Sequence, residues 1–466
     1  MIFSSFPYLF FFLTILALMR LLPSDRLKKA VLLAGSYVFY AFWDYRFVAL
    51  LALSTLVNYA VGQRIERNDG EERRKWLIRG IAFNLVVLGV FKYFNFFIEN
   101  ANALLRPMHF GIPFLRIILP IGISFITFEV ISYLVDIYRR ESRSAGSVAE
   151  LGLLVAIFPH LIAGPILKPM QFLPEIEKPI RIEWSNIEYG VQIFLLGLVK
   201  KMLISDRVAP FVDRVFHAPA QFSSHTVWLA VIAYAIQIFC DFSGYSDMAI
   251  GSARCLGFYI PANFNLPYLS QNVTEFWRRW HISLSSWLRE YLYIPLGGNR
   301  KGKARQYFNL LIVMLLGGLW HGAHWNFVFW GGLHGLGLAV HKLYTDTFWT
   351  NERQSGPVLR AVNWLITAVF ICVTWVFFRA ASFPQAVLIL RKMFWLTLPV
   401  GTEWMQTSTL VALPFLVLAH ALGSRFGATY RLRLTTFAGM FVLFFVLLGL
   451  IFLAPTSSSP FIYFQF

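Results

Sequence analysis

Long apolar runs follow one another along the whole of this 466-residue chain, separated by short basic loops. A bilayer needs about 20 apolar residues per straight helical crossing. Runs of that kind fall at 3–22, 30–43, 46–62, 76–98, 114–138, 148–166, 187–205, 226–240, 242–258, 307–320, 324–344, 360–379, 408–422 and 435–454. The pattern predicts an all-α, polytopic transmembrane bundle of about 11–14 segments, occupying residues 1–466 as one integral membrane domain. Hydrophobic residues make up 57% of the chain and charged ones only 14%, against roughly 45–50% and about 25% in soluble domains. Runs 30–43 and 307–320 are too short to cross straight, and glycine and proline interrupt others. Broken backbone survives at membrane depth only where protein or a water-filled cavity covers it. The expected bundle therefore has short, broken and re-entrant helices around a central cavity or tunnel.

Charge sets the orientation. No lysine or arginine precedes the first run, whereas Arg20, Arg26, Lys28 and Lys29 follow it. Arg64, Arg67, Arg73, Arg74 and Lys75 come two runs later, then Arg139, Arg140 and Arg143. Every second loop is basic, which places those loops in the cytoplasm and the N-terminus outside. The basic stretches 278–305 and 425–433 read the same way. A net charge of +17 distributed like this suits anionic membrane lipid, and no nucleic-acid motif accompanies it. The first run lacks a signal peptide's basic start and cleavage site, so it reads as a spanning helix. Cys240, Cys255 and Cys372 have no metal-ligand spacing and read as small apolar residues.

One stretch, from Trp277 to Tyr344, carries the chemistry. TEFWRRWHISLSSWLRE reads as a single amphipathic helix, capped by Asn272 with Glu275 returning a bond. Trp277, Trp280, His281, Leu284, Leu288 and Tyr291 share its apolar face, and Arg278, Ser285 and Arg289 its wet one. A basic loop, PLGGNRKGKAR, leads into apolar sequence that holds His321, His324, His334 and His341. Histidine in such a run needs a partner or a wet cavity. His321 has two readings: a neutral base for a hydroxyl proton, or a hydrogen-bond partner of a neighbouring helix's carbonyl. His281 on its own reads as a packing residue.

Metal chemistry is disfavoured. His321 and His324 stand three apart, but no Asp or Glu occurs between Tyr291 and Thr345 to ligate or orient them. An orienting acid has to come from Glu129, Asp136, Asp241 or Asp247, of which the last two sit in QIFCDFSGYSDMAIGSARCLGF. Structural hydrogen bonds are the simpler reading for Glu129 and Asp136. GGNRKGK follows no strand and is a weak phosphate signal.

FWRRWHISLSSWLREYLYIPLGG followed by LLGGLWHGAHWNFVFWGGLHG resembles the membrane-bound O-acyltransferases, in particular the bacterial branch that modifies exported polysaccharides such as alginate. MIFSS, SYVFYAFWDYRF, SFITFEVISYLVDIYRR, FPHLIAGPI and CDFSGYSDMAIG are similar to that branch in the same order. The likeness runs from Met1 to about His341 and is weak in the last hundred residues. It implies a tunnel through the membrane with the family's WHG histidine at His321 and its second polar position at His281. It also implies acyl transfer from a thioester, with acetyl-CoA as the donor and no bound cofactor or metal. The acceptor is an exported polysaccharide or a periplasmic acyltransferase, and the setting a bacterial inner membrane. Arg278, Arg289 and the cations at 300–305 would hold the donor's phosphates. Two other classes fit the broken helices: a polymer or lipid transporter or flippase, and a structural subunit of an export complex.

Overall fold

The computed structural model describes residues 1–162, 164–348, 356–396, 400–427, 432–455 and 461–462. Among these residues the regular elements are helices, with one isolated bridge between Phe222 and Thr402. Residues 428–431 of the second basic stretch lie outside the described residues. Among the described residues five helical stretches are long and apolar enough to cross a membrane: Asp25–Arg67, Gly70–Met108, Ser224–Cys255, Pro357–Arg379 and Thr407–Arg425. Phe6–Leu21 and Phe437–Leu453 are shorter apolar helices. Phe437–Leu453 exposes Phe437, Phe441, Phe444 and Ile451, a surface suited to lipid tails.

The chain divides into two compact units. The first comprises Met1–Phe194 and Met248–Pro261. Its helices Asp25–Asp44, Val48–Arg67, Gly70–Leu88 and Ile123–Arg139 pack closely where side chains are small or polar. Gly62 faces the Tyr133 ring, Gly80 faces Leu134, and the amides of Asn58 and Asn84 pair across 2.7 and 3.1 Å. The 148–166 run is helical only over Val148–Ala156. Beyond Ala156 the described residues of the run, 157–162 and 164–166, are irregular and buried, so their backbone needs side-chain partners. Ser36 Oγ accepts the Phe158 N–H at 3.1 Å, and Glu129 Oε1 accepts the Leu167 N–H at 3.0 Å while facing His160 Nδ1 at 3.3 Å. Glu129 thus holds the unwound segment in place.

The second unit comprises Leu195–Asp247 and Ala262–Phe466. Its centre is a hairpin of two helices, Lys303–His321 and Trp325–Phe348. They approach at Gly318 and Gly331, where an added Cβ would run into the Phe327 and Met314 carbonyls. The Ser224–Cys255 helix is continuous, so runs 226–240 and 242–258 are one element and not two. Near its middle, Lys201 Nζ lies 2.8 Å from Asp206 and 2.7 Å from Asp241, with all three side chains 1% exposed. Asp241 Oδ2 also accepts the Ile462 N–H at 2.8 Å. The 114–138 run becomes helical only at Ile123, and Lys303 and Arg305 open a helix instead of lying in the loop.

Candidate active site

The stretch read as a single amphipathic helix is two short ones, Val273–Arg279 and Ile282–Leu288. Asn272 caps the first as expected, its Oδ1 accepting the Glu275 N–H at 2.8 Å. The Glu275 carboxylate returns to the Gln271 N–H, one residue earlier than the capping box predicts. The break is at His281, whose backbone is left-handed with φ 43° and ψ 57°. A residue with a Cβ holds that conformation only when its surroundings fix it, and such positions cluster at functional sites. The fixing group is Asn263. Its carbonyl accepts the Ile282 N–H at 2.9 Å, and its side-chain Oδ1 accepts from the Ser283 N–H at 3.2 Å and Ser283 Oγ at 2.9 Å. Asn263 Nδ2 donates to Ser246 Oγ at 3.3 Å.

The same Oδ1 lies 3.2 Å from His281 Nδ1. Because Oδ1 accepts a backbone N–H, it is an oxygen, and His281 Nδ1 must be the donor. Neutral His281 therefore carries its proton on Nδ1 and its lone pair on Nε2. The amide sets the tautomer that a carboxylate sets in a catalytic triad, without adding a buried charge.

His281 is fully buried and its ring centroid is 6.4 Å from that of His321, the last residue of Lys303–His321, itself 4% exposed. Aromatic rings wall the pair. Phe242 meets His281 edge-on at 4.7 Å, and Trp320, Trp330 and Phe378 lie 5.0, 5.0 and 5.4 Å from His321. With centroids 6.4 Å apart the two imidazoles are near enough for one bound substrate to reach both, each ring bonding a different group of it. The aromatic walls leave both imidazoles buried, and polar interactions strengthen in such a low-dielectric setting.

Other sequence candidates lie elsewhere. His324 is exposed and accepts the Asn326 N–H on Nδ1 at 3.2 Å; the helix ends at His321, so the two do not share a helical face. Among the described residues no three His, Cys, Asp or Glu side chains gather to hold a metal ion. Asp241 binds Lys201, and Asp247 Oδ2 takes Lys200 at 2.6 Å, so neither acid orients the histidines. Arg278 and Arg289 are exposed, as are Arg300, Lys301, Lys303 and Arg305. Arg279 is tied to Glu275 at 2.9 Å, and Lys303 reaches Asp346 at 3.5 Å.

The sequence model of the membrane-bound O-acyltransferase family matches residues 147–383. A probable alginate O-acetylase of Azotobacter vinelandii is 42% identical over 400 residues, covering 84% of this chain and 78% of its own length. The peptidoglycan O-acetyltransferase of Helicobacter pylori is 39% identical over 392 residues, covering 78% of this chain and 73% of its own. The teichoic acid D-alanyltransferase of Bacillus subtilis is more distant, 25% identical over 279 residues, 56% of this chain and 69% of its own.

Proposed function

We propose, from the premise that this chain belongs to the membrane-bound O-acyltransferase family, a division of labour between two of its buried histidines, His321 and His281. The protein is a multi-pass membrane acyltransferase, an O-acetyltransferase acting on an exported polysaccharide. His321 takes the proton of an acceptor hydroxyl. The hydroxyl oxygen bonds to the acyl carbon, the C–S bond of a thioester breaks, and the departing sulfur recovers the proton from the imidazolium. Acid–base catalysis of this kind contributes about 10²–10⁴-fold. His281, its tautomer held by Asn263, orients the acceptor by accepting at Nε2 from a second O–H or N–H of the same acceptor, since the reacting hydroxyl's single proton goes to His321.

The donor is acetyl-CoA, presented from the cytoplasm of a bacterial cell whose inner membrane holds the whole chain as one functional domain. Arg278 and Arg289, exposed at the ends of the two short helices, hold its phosphates with Arg300, Lys301 and Arg305. The acceptor is the polymer hydroxyl itself or a periplasmic acyltransferase that passes the group on. The observation carrying this reading is the His281–His321 pair, 6.4 Å apart inside one aromatic compartment. A transporter or an export scaffold needs no such pair.

Oriented proteoliposomes test it. With labelled acetyl-CoA supplied on the cytoplasmic face and acceptor polymer on the other, label accumulates on the polymer while no free acetate crosses. Label released only as acetate on the donor side would overturn the transfer reading.

A further inference from the structure

His334 is as buried as His281, yet the acid–base scheme leaves it idle. It lies on Trp325–Phe348 one turn after Trp330, and the two rings are 4.8 Å apart. Trp330 stands between the imidazoles, with its ring 5.0 Å from His321 and perpendicular to it. Both side chains are sealed from solvent, His334 at 0% and Trp330 at 1% exposure. Trp277 Nε1–H donates to His334 Nδ1 at 3.2 Å. Indole is only a donor, so Nδ1 is the acceptor and the neutral ring carries its proton on Nε2.

That Nε2–H has no acceptor among the described residues, and neither has the Nε1–H of Trp330. Native interiors satisfy nearly all buried donors, and those left over point to a ligand, an ion or a catalytic role. Two such donors stand one helical turn apart, and the ring of the first packs against the histidine read as the base while the second lies on the far side of that ring. Both donors are neutral, and both lie on a helix anchored by the close glycine contact at Gly331. Rigid N–H groups aimed at developing charge are the most effective electrostatic catalysts, because they need no reorganisation during the reaction.

We propose that Trp330 Nε1–H and His334 Nε2–H bind the acyl oxygen of the thioester and stabilise the oxyanion formed when the hydroxyl adds. The inference rests on the thioester-to-hydroxyl reading above and assigns its electrophilic half. As the acceptor oxygen bonds to the acyl carbon and His321 takes its proton, the carbonyl π pair moves onto oxygen between the two N–H groups. The pair returns to re-form C=O as the C–S bond breaks, and the thiolate leaves with the proton held by His321. No other reactant is needed.

Side-chain swaps at position 334 separate donation from packing. Gln places an N–H near the position of imidazole Nε2. Asn places its polar group near Nδ1, where it still accepts from Trp277. The full chain is assayed in inside-out membrane vesicles that carry the host's polymer-assembly machinery. Acetyl-CoA is the probe, thiol release the readout, and His321→Ala the background. Trp330→Phe and His334→Asn should each lower kcat by about 10²-fold, the loss typical of one oxyanion donor, with little change in KM for acetyl-CoA. His334→Gln should retain more activity than His334→Asn at equal membrane abundance. Wild-type turnover by Trp330→Phe, or His334→Asn outperforming His334→Gln, would overturn the oxyanion assignment while leaving the acyl-transfer reading intact. Thiol release by the wild type no greater than by His321→Ala would instead overturn the thioester reading, and this inference with it.

Discussion

Replacing Asn263 by alanine tests the site at its least conspicuous residue. The substitution removes one oxygen that accepts three hydrogen bonds, from His281 Nδ1, the Ser283 N–H and Ser283 Oγ. All three residues are buried. A stranded buried donor costs about 1–3 kcal/mol, and the Ser283 hydroxyl can turn to another acceptor, so the two fixed N–H groups set a loss of about 2–6 kcal/mol. Unfolding entropies of about 2.1 cal/mol/K per residue over the 466-residue chain convert that into an apparent Tm lower by about 2–6 °C. Activity should suffer far more, because His281 loses both its tautomer and the support of its left-handed backbone. The assay pairs thermal unfolding in nanodiscs with acetyl transfer at a temperature where the variant is fully folded. Asn263→Asp keeps an acceptor for all three donors and should recover the fold. Asn263→Ala with unchanged turnover would refute the claim that this amide orients the site.

Three further substitutions probe the frame. Lys201→Met strands the carboxylates of Asp206 and Asp241 in the interior, at a cost of about 3–5 kcal/mol. It should abolish accumulation of folded protein, whereas Lys201→Met with Asp206→Asn and Asp241→Asn should restore it; normal yield of the single variant contradicts this. Gly331→Ala drives a methyl into the Met314 carbonyl across the helical hairpin and should lower both stability and turnover, as read by detergent-resistant folded yield and acetyl transfer. Arg289→Glu should raise the acetyl-CoA concentration needed for half-maximal transfer in vesicles of neutral as well as anionic lipid; an effect confined to anionic bilayers would assign the arginine to lipid headgroups.

Much of the architecture is legible in the sequence because helices at membrane depth must be long and apolar. That rule alone places Pro357–Arg379 and Phe437–Leu453 to within a few residues. Local chemistry hides the rest. Asp206–His217 contains proline and charge and falls outside every apolar run, although Val208, Phe211, Val212 and Val215 line a buried face of it. Helical periodicity carries across Trp280 and His281 without a fault, and no count of spacings detects one residue turning left-handed. Asn263 escapes notice for a different reason. Its link to His281 spans 18 residues and exists only in three dimensions, and its only sequence signal is an asparagine interrupting an apolar loop. Asp241 and Asp247 stand forward as orienting acids because their lysine partners, Lys200 and Lys201, sit in an apolar run that conceals them. His281 and His321 stand out in the sequence as histidines in apolar surroundings, but their proximity becomes visible only once two separate helix ends meet.

The most direct measurement of the central claim is the acetyl content of the exported polysaccharide in cells whose only copy of this protein carries His321→Ala or His321→Gln, normalised to its abundance in the membrane. An amide has no basic nitrogen near neutral pH, so glutamine should do no better than alanine. The account predicts that both variants insert at wild-type abundance and leave the polymer without acetyl groups. Normal acetylation by either variant would contradict it, because no other residue is assigned the proton that His321 takes.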